Sequence, residues 1–354
     1  MQDEEMYLRR CMELATNGTG NVAPNPMVGC VIVHKGRIIG EGFHAVFGGP
    51  HAEVVAVNAV KNKALLKDST LYVNLEPCSH YGKTPPCADM IIKAGIPKVI
   101  VGSRDPYMQV QGRGIAKLRQ AGIDVVEGVL KDDCDRLNNR FFTFHQKKRP
   151  YIILKWAQTL DGFIDKDRNN SDPHINWITD ENTRMLVHRW RSEEQAIMVG
   201  TNTVLLDDPQ LTVRDWHGKN PLRLVVDEKL VIPSSAKVFD NDAGTVVFNT
   251  LKNEVNGHIE YVKLNFTDNI IPQVLEFLYE RSIQSLIVEG GREMLQSFIE
   301  SGAWDEARIF SGNCFFFSGV RAPEIKGEIK FIESIGADKL TFILNSDQLF
   351  FHCR

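Results

Sequence analysis

The chain has 354 residues, beyond the size at which a single core usually stops growing, so two domains of ordinary size are expected. Hydrophobic residues make up 43% and charged residues 24%, which excludes an intrinsically disordered chain. With a formal net charge of -4 and no wide block of Lys and Arg, the composition also argues against a nucleic-acid polymer as partner.

The first residues, Met1 to Glu5, are acidic and run into an amphipathic pattern, with no cationic segment followed by an apolar signal stretch. No apolar run approaches membrane-spanning length, so no membrane partner is expected. The seven cysteines are scattered and odd in number, unlike a paired secreted framework, and a reducing cytoplasm fits that usage.

In chain order, a helix is predicted over 5 to 16, ending at Asn17-Gly18. Strands follow at Val28 to Val33 and Arg37 to Gly42, joined by a turn at His34-Lys35-Gly36. The pattern then alternates: helix from His51 to Asn62, strand Thr70 to Leu75, helix Pro86 to Ala94, strand Lys98 to Gly102, helix Arg113 to Ala121 and strand Asp124 to Gly128. This alternation implies a layered α/β domain. The polar, cationic stretch ending at Pro150 reads as a boundary, giving domains 1–147 and 148–354.

The second half has its own series. A strand is expected at Tyr151 to Leu154, a turn at Leu160-Asp161-Gly162, a helix from Thr179 to Arg191, and strands at Ala196 to Gly200, Leu222 to Val226, Thr245 to Phe248 and Ser285 to Glu289. A helix begins after Gly291, so the free amides of Glu289-Gly290-Gly291 could hold a phosphate at the positive end of its dipole. Taken alone, that junction is equally a tight turn. Arg191 and Arg214 could bind an anion or be plain solvated charges. Three adjacent aromatics, Phe315 to Phe317, read as a buried edge or a subunit contact.

The sharpest chemistry is in the first half. His51 opens a helix, and Cys78 and Cys87 lie in a loop between a strand and the next helix. One imidazole and two thiolates fill three tetrahedral positions around zinc and leave the fourth for water, as a catalytic site requires. Glu53, two residues after His51, can reach that water without ligating the metal, and so can move the protons of a hydrolytic deamination. His-x-Glu followed by Pro-Cys and a second Cys is the signature of nucleobase deaminases, here with eight residues between the cysteines where that signature has two. Two other readings stand beside this one: a deaminase acting on tRNA or single-stranded nucleic acid, and a scaffold whose zinc is structural, with His44 or His80 as fourth ligand.

Asn25-Pro26, Gly40-Glu41-Gly42 with His44, Gly49-Pro50-His51-Ala52-Glu53, Leu75-Glu76-Pro77-Cys78-Ser79-His80 and Gly82-Lys83-Thr84-Pro85-Pro86-Cys87 together resemble the deaminase half of the bifunctional riboflavin biosynthesis proteins, from about Met6 to Gly128. Lys155 to Gly162, Trp177-Ile178-Thr179, Gly200 to Leu205 with Asp207-Asp208-Pro209, Leu211 to Arg214 and Val288 to Gly291 resemble the reductase half, in the same order. The match weakens beyond about Trp304.

The resemblance implies a cytidine-deaminase-like α/β/α sandwich followed by a dihydrofolate-reductase-like α/β domain. It implies one Zn2+ per chain on His51, Cys78 and Cys87, NADPH in the second half, a pyrimidine ribosylamine phosphate as substrate, and a homo-oligomer. Asn25, His44, His80, Lys83 and Asp105 are placed at the ring and ribose phosphate of the first site, although Tyr107 stands where the family usually has asparagine after Asp-Pro. Gln158, Trp177, Thr203, Asp207, Gly291, Arg292, Glu293, Met294 and Leu295 are placed at the cofactor. Lys155, Arg191, Leu211, Arg214 and Glu289 are placed at the sugar phosphate, with Lys155 or Asp207 assisting proton delivery.

Overall fold

The computed structural model describes residues 2–79, 85–107, 110–168 and 174–346. It divides into two compact units, Met1–Lys148 and Arg149–Arg354.

In the first unit, α1 (Gln2–Thr16) leads into the hairpin β1 (Gly29–His34) and β2 (Arg37–Phe43), whose two-residue turn has Lys35 and Gly36 at positive φ, as a tight hairpin demands. Then come α2 (Ala52–Ala59), β3 (Ser69–Leu75), α3 (Cys87–Ala94), β4 (Lys98–Ser103), α4 (Arg113–Gln120), β5 (Asp124–Glu127), α5 (Lys131–Leu137) and α6 (Asn139–Lys147). The sheet order is β2-β1-β3-β4-β5, with β3, β4 and β5 parallel and the hairpin antiparallel.

Both faces of this sheet are covered, and the strands show why. Cys30, Ile32, Leu71, Val73, Val99 and Val101 point to a core shared with α2, α3 and α4. Their neighbours Val31, Val33, Tyr72 and Ile100 pack on Leu8 and Cys11 of α1. Apolar residues at every position of a strand mean burial on two sides, which is the α/β/α sandwich.

Two sequence expectations change here. The helix expected over 51 to 62 ends at Ala59, because Asn62 turns to accept a hydrogen bond from the Ala64 amide and caps a short 3-10 turn at Lys63–Asp68. The polar, cationic stretch ending at Pro150, read as a boundary, is preceded and partly filled by a helix: α6 buries Phe141 and Phe144, an apolar face that its cationic end obscured.

The second unit contains β6 (Tyr151–Thr159), β7 (Phe163–Asp165), α7 (Glu181–Glu193), β8 (Ala196–Gly200), α8 (Thr201–Asp207), β9 (Leu222–Val226), β10 (Thr245–Asn249), β11 (Glu254–Asn256), β12 (Ile259–Lys263), α9 (Ile270–Glu280), β13 (Ser285–Val288), α10 (Arg292–Glu300), β14 (Glu306–Gly312), β15 (Val320–Arg321), β16 (Glu328–Ile335) and β17 (Asp338–Leu344). Ten strands form one sheet in the order β11-β12-β10-β9-β8-β13-β6-β14-β17-β16. From β12 to β14 all neighbours are parallel, and β17 and β16 return antiparallel.

Helices α9 and α10 cover one face through Ile271, Val274, Leu278, Leu295 and Phe298. On the other, Val204 of α8 joins Ile153, Val199 and Val225. In such a sheet the crevice at the carboxyl ends of the parallel strands is where ligands bind, and the residues that leave β6, β8, β9 and β13 there set the second site. The Phe315–Phe317 run is not a buried edge: Phe315 and Phe317 are 55% and 85% exposed and stack on each other at 5.9 Å.

Candidate metal site and reductase pocket

In the first unit, two helix starts converge on one point. His51 stands at the N-cap of α2 in extended geometry, and Cys87 is the first residue of α3. His51 Nδ1 lies 3.5 Å from Cys78 Sγ and 3.3 Å from Cys87 Sγ, and the three candidate ligand atoms lie within 4.8 Å of one another. Zinc bonds of roughly 2.3 Å to sulfur and 2.0–2.1 Å to nitrogen in a tetrahedron place N and S about 3.5 Å apart, so the spacing fits that ion.

The local electrostatics favour thiolate at this point. The Cys78 thiol is pulled well below its ordinary value, to about 4, by its contact with Cys87, by His51 and by the Cys87 backbone N–H, which donates to its sulfur at 3.3 Å. The Cys87 thiol shifts in the opposite direction, because the pair shares one proton.

Glu53 is in the first turn of α2, 3% exposed, and within hydrogen-bonding reach of the Cys87 sulfur. Burial raises its carboxyl to about 7, with the neighbouring Cys78 sulfur adding to the shift. A carboxyl poised there can both take and give a proton near neutral pH. It stands outside the group of three clustered ligand atoms.

His44 stacks edge-on to His51 at 5.6 Å, but both of its nitrogens are taken. Nδ1 donates to the Pro50 carbonyl at 2.9 Å, and Nε2 accepts from the Asn25 amide at 3.0 Å, a tautomer assigned from these partners. Burial lowers its pKa, and with both nitrogens engaged the ring does not serve as a fourth ligand.

Asp105, 7% exposed, accepts from the Tyr107 amide, and burial raises its carboxyl to about 7. The other two residues expected around this ligand, His80 and Lys83, lie outside the described residues.

Glu76, quoted in the motif without a role, proves central to the geometry. Its buried carboxylate accepts four backbone N–H bonds, from Asp105, Gly112, Gly114 and Ile115, at 2.9–3.2 Å. It thereby ties the strand end that carries Cys78 to the Asp105 loop and to the start of α4. A lone acid between a strand and a metal-binding cysteine was the available signal.

In the second unit, a cavity of about 1150 Å³ opens at the carboxyl ends of the parallel strands. Its wall includes Trp177, Thr203, Asp207 and the Gly291 to Leu295 stretch, together with Lys155, Arg191, Leu211, Arg214 and Glu289. Gln158 is not among the lining residues; its Oε1 accepts from the Trp156 indole N–H at 2.9 Å instead.

The ends of β8 and β13 approach closely enough that a Cβ on Gly290 would sit 3.1 Å from the Gly200 amide. The Gly291 amide donates to Thr203 Oγ1 at 2.9 Å. The starts of α8 and α10 therefore meet at one wall of the cavity.

The same cavity wall carries a buried charge cluster. Arg191 grips Glu289 with two bonds, at 3.1 and 2.8 Å, and Lys155 Nζ is 3.6 Å from the same carboxylate. Burial alone would raise Glu289, but Arg191 and Lys155 outweigh it and hold the carboxyl down at about 2. The Lys155 ammonium is itself lowered by burial, with Glu289 opposing that change. Asp207 and Asp165 are bridged by Arg168, at 2.8 Å from each, so Asp207 is restrained beside the cavity.

Two family models match the chain. The cytidine and deoxycytidylate deaminase zinc-binding region covers residues 1–103, and the RibD C-terminal domain covers residues 150–323. Riboflavin biosynthesis protein RibD of Aquifex aeolicus is 40% identical, over 96% of this chain and 98% of that protein. Its counterpart in Escherichia coli is 35% identical over 88% and 87%. Among solved structures, a diaminohydroxyphosphoribosylaminopyrimidine deaminase/5-amino-6-(5-phosphoribosylamino)uracil reductase from Thermotoga maritima superposes with a TM-score of 0.88, at 39% identity over 97% of this chain and 99% of that one. RibD of Acinetobacter baumannii gives 0.87 at 29% identity, with the same coverage.

Proposed function

Because the chain belongs to the RibD family, and is a bifunctional deaminase and reductase of riboflavin biosynthesis, we propose that its first unit deaminates 2,5-diamino-6-(5-phosphoribosylamino)pyrimidin-4-one and its second reduces the product's ribosyl group with NADPH, giving 5-amino-6-(5-phosphoribitylamino)uracil. The observation that carries the first step is the meeting of His51, Cys78 and Cys87 beside the buried Glu53.

His51, Cys78 and Cys87 would hold one zinc ion per chain. When bound, zinc supplies the Lewis acidity that makes water a usable nucleophile near neutral pH. Glu53 takes a proton from the attacking water, passes one to the ring nitrogen and assists the departure of ammonia. Asn25, oriented by neutral His44, and Asp105 hold the pyrimidine; His80 and Lys83 complete the ligand contacts in this reading.

In the second unit, Trp177, Thr203, Asp207 and Gly291 to Leu295 would hold NADPH. Lys155, Arg191 and Glu289 together carry one net positive charge, and Arg214 adds another at the rim. With Leu211 they suit a sugar phosphate, whose dianion such a pair of uncompensated charges balances. Orientation does most of the remaining work, because NADPH supplies the hydride. In this reading Lys155 or Asp207, both in the cavity wall, delivers the proton.

Among the described residues, no helix is long and apolar enough to cross a membrane. We assign the chain to the cytoplasm and to a homo-oligomer. Self-association is supported by Ile329, Phe331 and Ile332, exposed on the edge strand β16.

The test is to supply the pyrimidine ribosylamine phosphate with and without NADPH, following ammonia release and nicotinamide absorbance. Ammonia should appear in both cases, and absorbance should fall only after deamination. No ammonia would end this reading; ammonia without NADPH consumption would confine it to the first unit.

A further inference from the structure

The wall of the second cavity contains a histidine that neither the motifs nor the proposed chemistry employs. His188 sits on α7, one turn before Arg191, so the two side chains share a face of the helix. It is 5% exposed. Both residues reach the same short loop. Arg191 Nη1 donates to the Thr212 carbonyl at 3.3 Å, and the Arg214 backbone N–H donates to His188 Nδ1 at 3.0 Å.

These contacts fix the state of the ring. Nδ1 accepts, so the single proton of a neutral imidazole lies on Nε2, which faces Asp215 Oδ2 at 3.3 Å. Burial, with the Arg191 charge next, holds the pKa near 4, which keeps the accepting lone pair available at neutral pH. A protonated ring could not accept the Arg214 N–H at all.

The loop needs such fastening. Leu211 has φ +57, a left-handed conformation that a leucine does not adopt freely, and Val213 is held only from outside by the Asn220 side chain. Arg214 itself bonds through its guanidinium to the neutral oxygens of Gln210 and Thr212, at 3.2 and 3.4 Å, and has no carboxylate partner among the described residues. Its charge is therefore free for an anion, provided its main chain stays in place.

We propose that His188 is a positioning residue for the substrate's phosphate: through Nδ1 it anchors the Arg214 main chain, and so keeps the Arg214 guanidinium at the cavity wall beside Arg191. This rests on the reading above that the cavity takes a sugar phosphate.

The experiment is steady-state reductase kinetics on the full-length enzyme at saturating NADPH. The deaminated ribosylamine phosphate is compared with its dephosphorylated counterpart for wild type, His188→Leu, His188→Asn and His188→Gln. Asparagine places an acceptor oxygen where Nδ1 was; the glutamine amide reaches only as far as Nε2.

His188→Leu leaves the Arg214 N–H unpaired and should raise KM for the phosphorylated substrate about tenfold, with kcat within about twofold of wild type. KM for the dephosphorylated compound should not move. His188→Asn should recover most of the affinity and His188→Gln should behave like leucine; if the leucine variant does not fold, this contrast decides the question. Denaturant unfolding of the same preparations, followed on the second unit, reports on its folding.

An unchanged KM, a loss confined to kcat, equal losses on both substrates, or glutamine rescuing where asparagine does not would each overturn the role. A wild type that binds both compounds equally well would instead overturn the phosphate reading itself.

Discussion

The two sites are built in opposite ways. The first gathers its chemistry at two helix starts: His51 and Glu53 lie in three consecutive residues, and Cys78 and Cys87 flank one loop. The second is assembled from ends of several strands and helices, and its central ion pair joins Arg191 to Glu289 across 98 residues of sequence. A metal concentrates the electrostatic work on a few ligands that must touch one atom, whereas orienting a hydride donor and a sugar phosphate spreads it over a wall.

The difference can be broken first at the metal. Cys78→Ala or Cys87→Ala should lose zinc and all measurable ammonia release, and should destabilise the first unit, because a metal site contributes folding free energy. NADPH oxidation with pre-deaminated substrate should persist. Metal analysis and the two assays check this, and a parallel loss of both activities would mean that the sites are not separable.

Glu53→Gln is the sharper probe. Zinc should stay bound, while ammonia release falls by about 10² to 10⁴, the usual contribution of a positioned proton carrier. Near-normal deamination by this variant would remove Glu53 from the mechanism.

In the second unit, Glu289→Gln leaves Lys155 and Arg191 buried without their anion. Removing one partner of such a cluster costs about 3–5 kcal/mol, measurable by denaturant unfolding of that unit at pH 7. The sign of the pH effect follows from the depressed carboxyl. Glu289 titrates near 2 when folded and near its ordinary 4.5 when unfolded, so its contribution is complete above about 4.5 and is lost as pH falls toward 2. The gap between wild type and variant should therefore close over that window. A constant gap would mean that the pairing is not the cause.

The smallest expected effect is at the start of α7. Asp180 accepts from the Thr183 amide at 2.9 Å, so Asp180→Ala should lower stability slightly, by less than Glu289→Gln does. Since α7 carries His188 and Arg191, a rise in reductase KM larger than this loss implies would show that the cap also sets the register of the site.

What could be read in the sequence follows the same contrast. The first unit's strands announce themselves as short apolar runs between helices, and Glu53 could be given its task from spacing alone. Its second half hid α6, because Phe141 and Phe144 face inward from a segment whose visible character is cationic. In the second unit, α8 is too short to show a period, and α9, although Ile271, Val274, Leu275 and Leu278 recur at helical spacing, carries Pro272 in its first turn. The hairpin of β16 and β17 was illegible because an exposed edge strand shows no alternation to find; every residue of β16 before Ile335 faces solvent.

Polar positioning was the hardest to foresee. Glu76 and His188 act through backbone N–H groups 26 to 39 residues away, and no residue type in the receiving loops marks them. Lys155, Arg191 and Glu289 could be grouped only by likeness to the family, and Gln158, placed at the cofactor on the same ground, instead accepts from Trp156.

The account stands most directly on the coordination of one ion. Zinc-edge X-ray absorption of the purified full-length protein should show two sulfurs at about 2.3 Å, a single imidazole nitrogen at about 2.0–2.1 Å and one exchangeable oxygen. A second imidazole, a third sulfur or any fourth protein ligand in place of that oxygen would contradict it.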